Sequence, residues 1–318
     1  MNNLIFCFDI NYEKFLKNIL ITFKKYHNIK KYKFHFIITC DKNEYNNLLK
    51  TITHTITTID ECFDFNSYLF EPPDELIKSI DRYNNLLFKT KDNESTVFLN
   101  YANWSRFYIN DLIPEIDIGL YLDMDILFLG NIDEIFEISL IDCPLCVFKK
   151  INKSIFYLTY RPSCKNNVDN IKSFEEFHKI NPNKSKKDYT NFLNRIKNNK
   201  IIFDELNINI DDLKNNLAYN CGVLLFNFKI LKQLDIKKKI LKLINLMCDQ
   251  NNILFRTGTE KTMNLLIPNN KTFDNKYNYI LKKKEKINKS NIKILHFKGV
   301  KNLESNKTYL NLLKNLNE

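Results

Sequence analysis

The run Leu120-Tyr121-Leu122-Asp123-Met124-Asp125-Ile126-Leu127-Phe128-Leu129 sets two carboxylates in the middle of an otherwise apolar segment. Such a run reads as a buried strand, and burying unpaired charge is strongly unfavourable. The two acids must therefore be compensated. In extended backbone, residues i and i+2 face the same side, so Asp123 and Asp125 converge while Met124 turns the other way into packing. Two like charges held that close favour either a shared proton or a bound cation. Carboxylate oxygens suit hard divalent ions such as Mg2+ or Mn2+, which commonly complete their shells with water and phosphate oxygens. Asp-x-Asp also occurs in solvated acidic loops, but a solvated loop has no need of apolar flanks. The segment reads as a platform for a cation and a diphosphate at the end of a buried strand.

The rest of the composition narrows the classes of ligand. The chain has 318 residues, 44% hydrophobic and 27% charged, which is enough to bury a large core in one large domain or two ordinary ones. Five glycines, with neither G-x-x-x-x-G-K-[ST] nor G-x-G-x-x-G among them, argue against a glycine-rich phosphate loop. A net charge of +11 favours anionic partners, yet the lysines are scattered apart from clusters at Lys237–Lys239 and Lys282–Lys284. No nucleic-acid motif accompanies them, and the sixteen tyrosines fall at core spacing. The eight cysteines are dispersed, several in apolar strands, as reduced structural thiols are. Cys143-Pro144-Leu145-Cys146 has no second pair to make a zinc site. The apolar opening Leu4–Phe8 is too short and lacks the basic flank of a signal peptide, and no spanning helix is visible. A soluble protein of a reducing compartment is the expectation.

Along the chain, Leu4–Phe8 reads as a first strand ending at Asp9, Tyr12–Tyr26 as an amphipathic helix and Tyr32–Thr39 as a second strand. This β-α-β unit predicts parallel strands and a ligand beyond their carboxyl ends. Asp9, Asn11 and Tyr12 lie there, and Asp9 or Asn11 is also suited to cap the helix. Asn43–Leu49 reads as helix, Ile52–Ile59 as a strand alternating with threonines, and Asp74–Phe88 as a helix after Pro72-Pro73. Tyr101–Leu112 is a further expected helix, carrying Arg106, and Asn131–Phe136 another. Asn220 follows Asp125 by 95 positions, room for an inserted subdomain across the polar 150–215 region, with helix-like pieces at Ile171–Ile180 and Tyr189–Ile196. Asn220–Asn227 returns to the buried-strand pattern, and its Gly222 permits close backbone approach to a ligand. Ile230–Met247 and Thr259–Leu266 read as helices, and Ile292–Phe297 as the last core strand, delivering His296 and Gly299. Neutral imidazole ligates Mn2+-like ions, although a lone histidine at a strand end is commonly structural.

In this order the motifs resemble those of glycosyltransferase family 8, the glycogenin-like retaining enzymes that include bacterial lipopolysaccharide galactosyl- and glucosyltransferases. The likeness covers most of the chain outside 60–95 and 150–215, and Tyr121–Asp125 with Asn131–Phe136 is closest to the glycogenin version. The resemblance implies one GT-A domain over 1–318: an α/β fold with a Rossmann-like, mostly parallel central sheet flanked by helices. It also implies an inserted helical acceptor-side region or lid at 150–215. By the same likeness, Asp123, Asp125 and His296 bind Mn2+, with Mg2+ an alternative. Asp9, Asn11 and Tyr12 match the segment that holds uracil and ribose, Arg106 the basic residue ahead of the metal motif, and Asn220-Cys221-Gly222 the segment lining the donor sugar. Met124 and Gly299 fall within these donor-binding motifs.

Two departures stand out. The family's Asp-Gln before a Leu-Asn pair is here Thr259-Glu260, with Asn264 following, so either Glu260 takes over the acidic or hydrogen-bonding place or donor handling is altered. The lysine six positions after the histidine is Asn302, leaving Lys301 as the candidate for the diphosphate. The expected activity is Mn2+-dependent, retaining transfer of a hexose, glucose or galactose, from a UDP-sugar to a glycan or protein hydroxyl. Glu260, Asn220 and Arg106 are the expected catalytic set. Self-glycosylation and a homodimer are compatible with the likeness, and nucleic acid is not expected as a partner. The alternative, prompted by Thr259, is a catalytically silent UDP-sugar binder.

Overall fold

The computed structural model describes residues 1–89, 100–154, 194, 197–209, 212–213, 217–250, 258–268, 270–281, 291–298 and 303–317. The chain opens with strand β1 (Asn2–Asp9), a 3-10 turn over Ile10–Phe15, helix α1 (Leu16–Tyr26) and strand β2 (Tyr32–Thr39). Helix α2 (Lys42–Ile59), strand β3 (Asp64–Leu69) and helix α3 (Asp74–Lys89) follow. Strands β4 (Ile118–Leu122), β5 (Ile126–Phe128), β6 (Leu145–Ser154), β7 (Leu217–Asn227), β8 (Lys271–Thr272), β9 (Tyr279–Ile280) and β10 (Ile294–His296) complete the strand set of the described residues. The main sheet has the order β3-β2-β1-β4-β7-β6-β8, and β5-β10-β9 form a second, small sheet. In the main sheet β1 to β4 run parallel, β7 lies antiparallel to both β4 and β6, and β8 is parallel to β6. The β1-α1-β2 unit is parallel, as its sequence predicts.

Alternation along the central strands divides the core into two layers. Ile5, Tyr121, Leu224 and Phe226 pack on the side of α3 and the helix Ile236–Asp249, whereas Leu4, Phe6, Leu120, Leu122 and Leu225 pack on the side of α1 and α2. A seam of Phe6, Phe23, Phe34, Phe36 and Phe128 rings fills the second layer, with Phe23 edge to face against Phe34 and Phe128.

Several local readings of the sequence change. Ile52–Ile59 is not a strand but the second half of α2. Leu48, Ile52 and Ile56 recur every four residues and are its buried side chains, while Thr51 and Thr57 return their hydroxyls to the carbonyls of Asn47 and Thr53 within the helix. Tyr101–Leu112 is two short helices, Ala102–Ser105 and Ile109–Leu112, rather than one. Ile230–Met247 likewise divides at Asp235, whose left-handed backbone (φ 46°) separates Phe228–Gln233 from Ile236–Asp249. The segment after the central strand forms a 3-10 turn over Asp133–Glu137. Strand β3 carries no apolar run, so nothing in its sequence marks it as a strand. The expected piece Ile171–Ile180 lies outside the described residues, as does Tyr189–Ile196 apart from residue 194.

The most consequential change concerns the acidic run itself. Leu120–Leu129 is two strands, not one: β4 belongs to the main sheet and β5 to the small one, with Asp123-Met124-Asp125 as the crossing between them. Asp123 N donates to Gly222 O (2.8 Å), and Phe297 N donates to Asp125 O (2.8 Å), so each acid is tied by its backbone to a different neighbouring segment. Ile294–His296, expected as a core strand, pairs antiparallel with β5 in that small sheet. The acids thus sit on the hinge line between two sheets, with His296 arriving from the second.

Candidate active site

The side chains of Asp123, Asp125 and His296 bring ligand atoms within 4.8 Å of one another. His296 Nε2 lies 3.1 Å from Asp125 Oδ1 and 3.8 Å from Asp123 Oδ2. Met124, by contrast, is buried in the core, which is how the i, i+2 pair faces one way. Burial opposes ionisation of Asp125, but the His296 imidazole beside it outweighs that and holds the carboxyl below its usual range. Two carboxylate oxygens and an imidazole nitrogen are the donor set of a borderline-hard divalent ion such as Mn2+. Gly222 is packed against that set: a Cβ there would stand 2.2 Å from His296 Cε1 and 2.8 Å from Asp123 Oδ2. Only glycine lets β7 pass this close.

Arg106 closes one wall. It is 6% exposed, lies over the Tyr121 ring with its guanidinium carbon 4.6 Å from the centroid, and donates to Cys221 O (3.1 Å) and to Asn103. Its Nη2 is 3.4 Å from Asp123 Oδ1, which also accepts the Tyr121 hydroxyl at 2.6 Å. Burial opposes the charge of Arg106, while Tyr121 and Asp123 raise its pKa, so the guanidinium remains a permanent cation facing the acids.

On the opposite wall stands Glu260, in the helix Gly258–Leu266. Asn264 ties that helix to β7: its amide pairs with both the N–H and the carbonyl of Tyr219 and also donates to Glu260 O. The Glu260 carboxylate accepts from Asn220 Nδ2 (3.0 Å) and from the Lys298 ammonium. Lys298 is drawn up in pKa, since Glu260 more than offsets the burial that opposes its charge. Asn220, Cys221, Gly222, Thr259, Glu260, His296, Lys298, Arg106 and the two acids line one cleft of about 280 Å³. Asp123, Asp125 and Asn103 also line an adjoining pocket of about 90 Å³ with Cys7, Phe8, Tyr12, Asn100, Ala102 and Met124.

Asp9 stands at the end of β1 beside that smaller pocket. One of its oxygens caps the turn at Asn11 N (2.9 Å) and the other accepts from Asn100 Nδ2 (3.1 Å). Asn11 is exposed and lines neither cavity. Gly299 and Lys301 lie outside the described residues. Sequence reasoning missed Asn100, Asn103, Tyr121, Asn278 and Lys298. Tyr121 was legible by the i, i+2 rule applied one step back from Asp123, whereas the asparagines are masked by a composition rich in them.

The mostly parallel, Rossmann-like sheet flanked by helices is that of the GT-A fold, with the acid–acid–imidazole cleft where its central strand leaves the sheet. The chain belongs to glycosyl transferase family 8, whose family model matches residues 3–302. Among solved structures it is similar to the galactosyltransferase LgtC in complex with donor and acceptor sugar analogues. That likeness has 13% identity and a TM-score of 0.60 over 99% of this chain and 94% of that one. An active-site mutant of LgtC gives the same identity and TM-score over 99% and 95%. The apo form of mouse xyloside xylosyltransferase 1 is similar over 94% of this chain and 97% of its own, at 12% identity and a TM-score of 0.50. At these identities the likeness speaks for the fold. No curated protein sequence matches the chain. No helix among the described residues is long and apolar enough to cross a membrane.

Proposed function

We propose that the protein transfers a hexose, glucose or galactose, from a UDP-sugar to a glycan or protein hydroxyl with retention of anomeric configuration, and that it uses Mn2+. The observation that carries this reading is the donor set of Asp123, Asp125 and His296 at the junction of a small pocket and a larger cleft. When bound, the cation supplies Lewis-acid stabilisation of the charge that develops on the departing diphosphate. Asp123, Asp125 and His296 Nε2 would hold it. The pocket of Tyr12, Asn100 and Asn103, with Asp9 holding Asn100 from behind, takes the nucleoside, and the cleft of Asn220, Gly222 and Glu260 takes the sugar.

Retention asks that the acceptor oxygen replace the diphosphate on the same face, either directly or after a covalent sugar–enzyme intermediate. As the C1–O bond to the diphosphate breaks, electrons flow to the phosphate oxygen, and the fixed positive charge of Arg106 behind Asp123 lowers the energy of that state. Positive charge grows on the sugar at the same time. Glu260, paired with Lys298 and hydrogen-bonded by Asn220, is the carboxylate that either stabilises it or attacks C1. The acceptor hydroxyl proton leaves with the departing phosphate in the direct route.

The test is release of UDP from a panel of UDP-hexoses, with the anomer of the product read by NMR and the intact mass of the protein followed alongside. Release from one donor with a retained anomer is expected, and a hexose-sized mass increment would identify self-modification. UDP binding without release from any donor, in the presence of broad acceptor mixtures, would overturn the reading in favour of a silent binder.

A further inference from the structure

The charged groups of the cleft are linked by neutral amides, and the orientation of those amides can be deduced from a single backbone group. Asn278 follows the 3-10 turn Asn275–Tyr277 and is fully buried. One end of its amide lies 2.9 Å from His296 Nδ1 and the other 3.0 Å from the side chain of Asn220. The backbone N–H of Gly222 can only donate, and the Asn220 atom it meets at 2.9 Å must therefore be the carbonyl oxygen Oδ1. Asn278 meets that same oxygen, so it presents its Nδ2. The remaining end of Asn278 is then an acceptor only, and His296 must carry its proton on Nδ1. In a neutral imidazole the lone pair is left on Nε2, the nitrogen that faces Asp125 and Asp123.

We propose that Asn278 is a positioning residue of the transfer site. One end of its amide selects the His296 tautomer that offers Nε2 to a divalent cation, and the other end fixes the Asn220 side chain that reaches Glu260. A histidine ligand whose second nitrogen donates to a carbonyl oxygen is oriented and made more basic toward a metal. What is particular to this chain is that the same side chain sets the sugar-side amide, so cation and carboxylate are aligned by one residue from outside every recognisable motif. The inference rests on reading Asp123, Asp125 and His296 as cation ligands.

Two variants of the full chain separate the two ends of the amide. Asn278→Leu removes both contacts, while Asn278→Asp keeps an acceptor for His296 Nδ1–H and loses the donor to Asn220 Oδ1. Mn2+ binding is titrated by electron paramagnetic resonance, with thermal melting as the check of folding, and kcat is measured at saturating Mn2+. Asn278→Leu is expected to weaken Mn2+ binding about 10–100-fold, the scale of lost outer contacts to a metal ligand. Asn278→Asp is expected to bind Mn2+ within about threefold of the parent while its kcat falls about tenfold, the scale of one lost hydrogen bond. A folded Asn278→Leu with parental Mn2+ affinity overturns the proposal, as does an Asn278→Asp unchanged in both affinity and kcat. Should Asn278→Leu not fold, Asn278→Asp alone decides. The 15N shifts of the His296 ring give a metal-free readout, with a proton on Nδ1 expected in the neutral and in the doubly protonated ring, and a ring protonated at Nε2 alone contradicting the assignment. Absence of Mn2+ binding by the parent protein with the Nδ1 tautomer present would overturn the cation reading and leave the tautomer assignment standing.

Discussion

The two ends of the cleft are built from different materials. At the end proposed to hold the cation, three side chains with formal or potential charge are carried by strand ends and the turn between them, and backbone hydrogen bonds to Gly222 and Asp125 hold those segments. At the end proposed to take the sugar, the single carboxylate of Glu260 sits on a helix and is aimed by amides, Asn220 and Asn264, and by Lys298. The first end concentrates two of its three side chains in the short run from Asp123 to Asp125, with His296 its one distant contributor. The second spreads it over segments from Asn220 to Lys298. Charge can be read from a short motif, because burying it unpaired is prohibitive; aim cannot, because any chain rich in asparagine offers many residues able to supply an amide.

The largest expected effect is at the cation end. Asp125→Asn keeps the shape of the side chain and removes its charge, and should lower turnover by about 10²–10³-fold or more, as loss of electrostatic stabilisation does. Glu260→Gln comes next. It should lower kcat about 10²-fold, on the scale of lost electrostatic stabilisation of the transition state, with Mn2+ affinity unchanged. Equal losses of Mn2+ affinity in the two variants would break the division between the ends.

Gly222→Ala tests the place where the ends meet. Its Cβ would collide with His296 and Asp123, so it should cost about 1–3 kcal/mol of stability in a melting experiment and weaken Mn2+ binding together with turnover. Loss of turnover with parental Mn2+ affinity would show that the close approach serves the sugar side alone. The smallest effect is expected for Lys298→Met. Lys298 is partly exposed and its pair with Glu260 is correspondingly modest, so kcat should fall only about three- to tenfold, on the scale of about 1 kcal/mol. A loss as large as that of Glu260→Gln would make the ammonium an equal partner of the carboxylate.

The same contrast explains how much of the molecule was legible in its sequence. The β-α-β opening, α3 and the convergence of Asp123 with Asp125 follow from periodicity, and His296 and Gly222 from the order of motifs. What periodicity could not show is that the acidic run leaves one sheet and enters another, since an apolar segment looks the same whichever sheet it joins. The alternation at Ile52–Ile59 misled because threonine hydroxyls bond back within a helix as readily as they tolerate a strand. Arg106 was legible as a charge near the acids, but its stacking on Tyr121 was not. Asn278 had no signal at all beyond standing between two tyrosines.

The central claim is that Asp123, Asp125 and His296 form a cation site on which sugar transfer depends. It is tested most directly by UDP release from the preferred donor after chelation, after resupply of Mn2+, and in Asp125→Asn under both conditions. Turnover that vanishes on chelation, returns with Mn2+ and does not return in Asp125→Asn is the expected result. Turnover that survives chelation undiminished, or that Asp125→Asn supports at the parental rate, would contradict it.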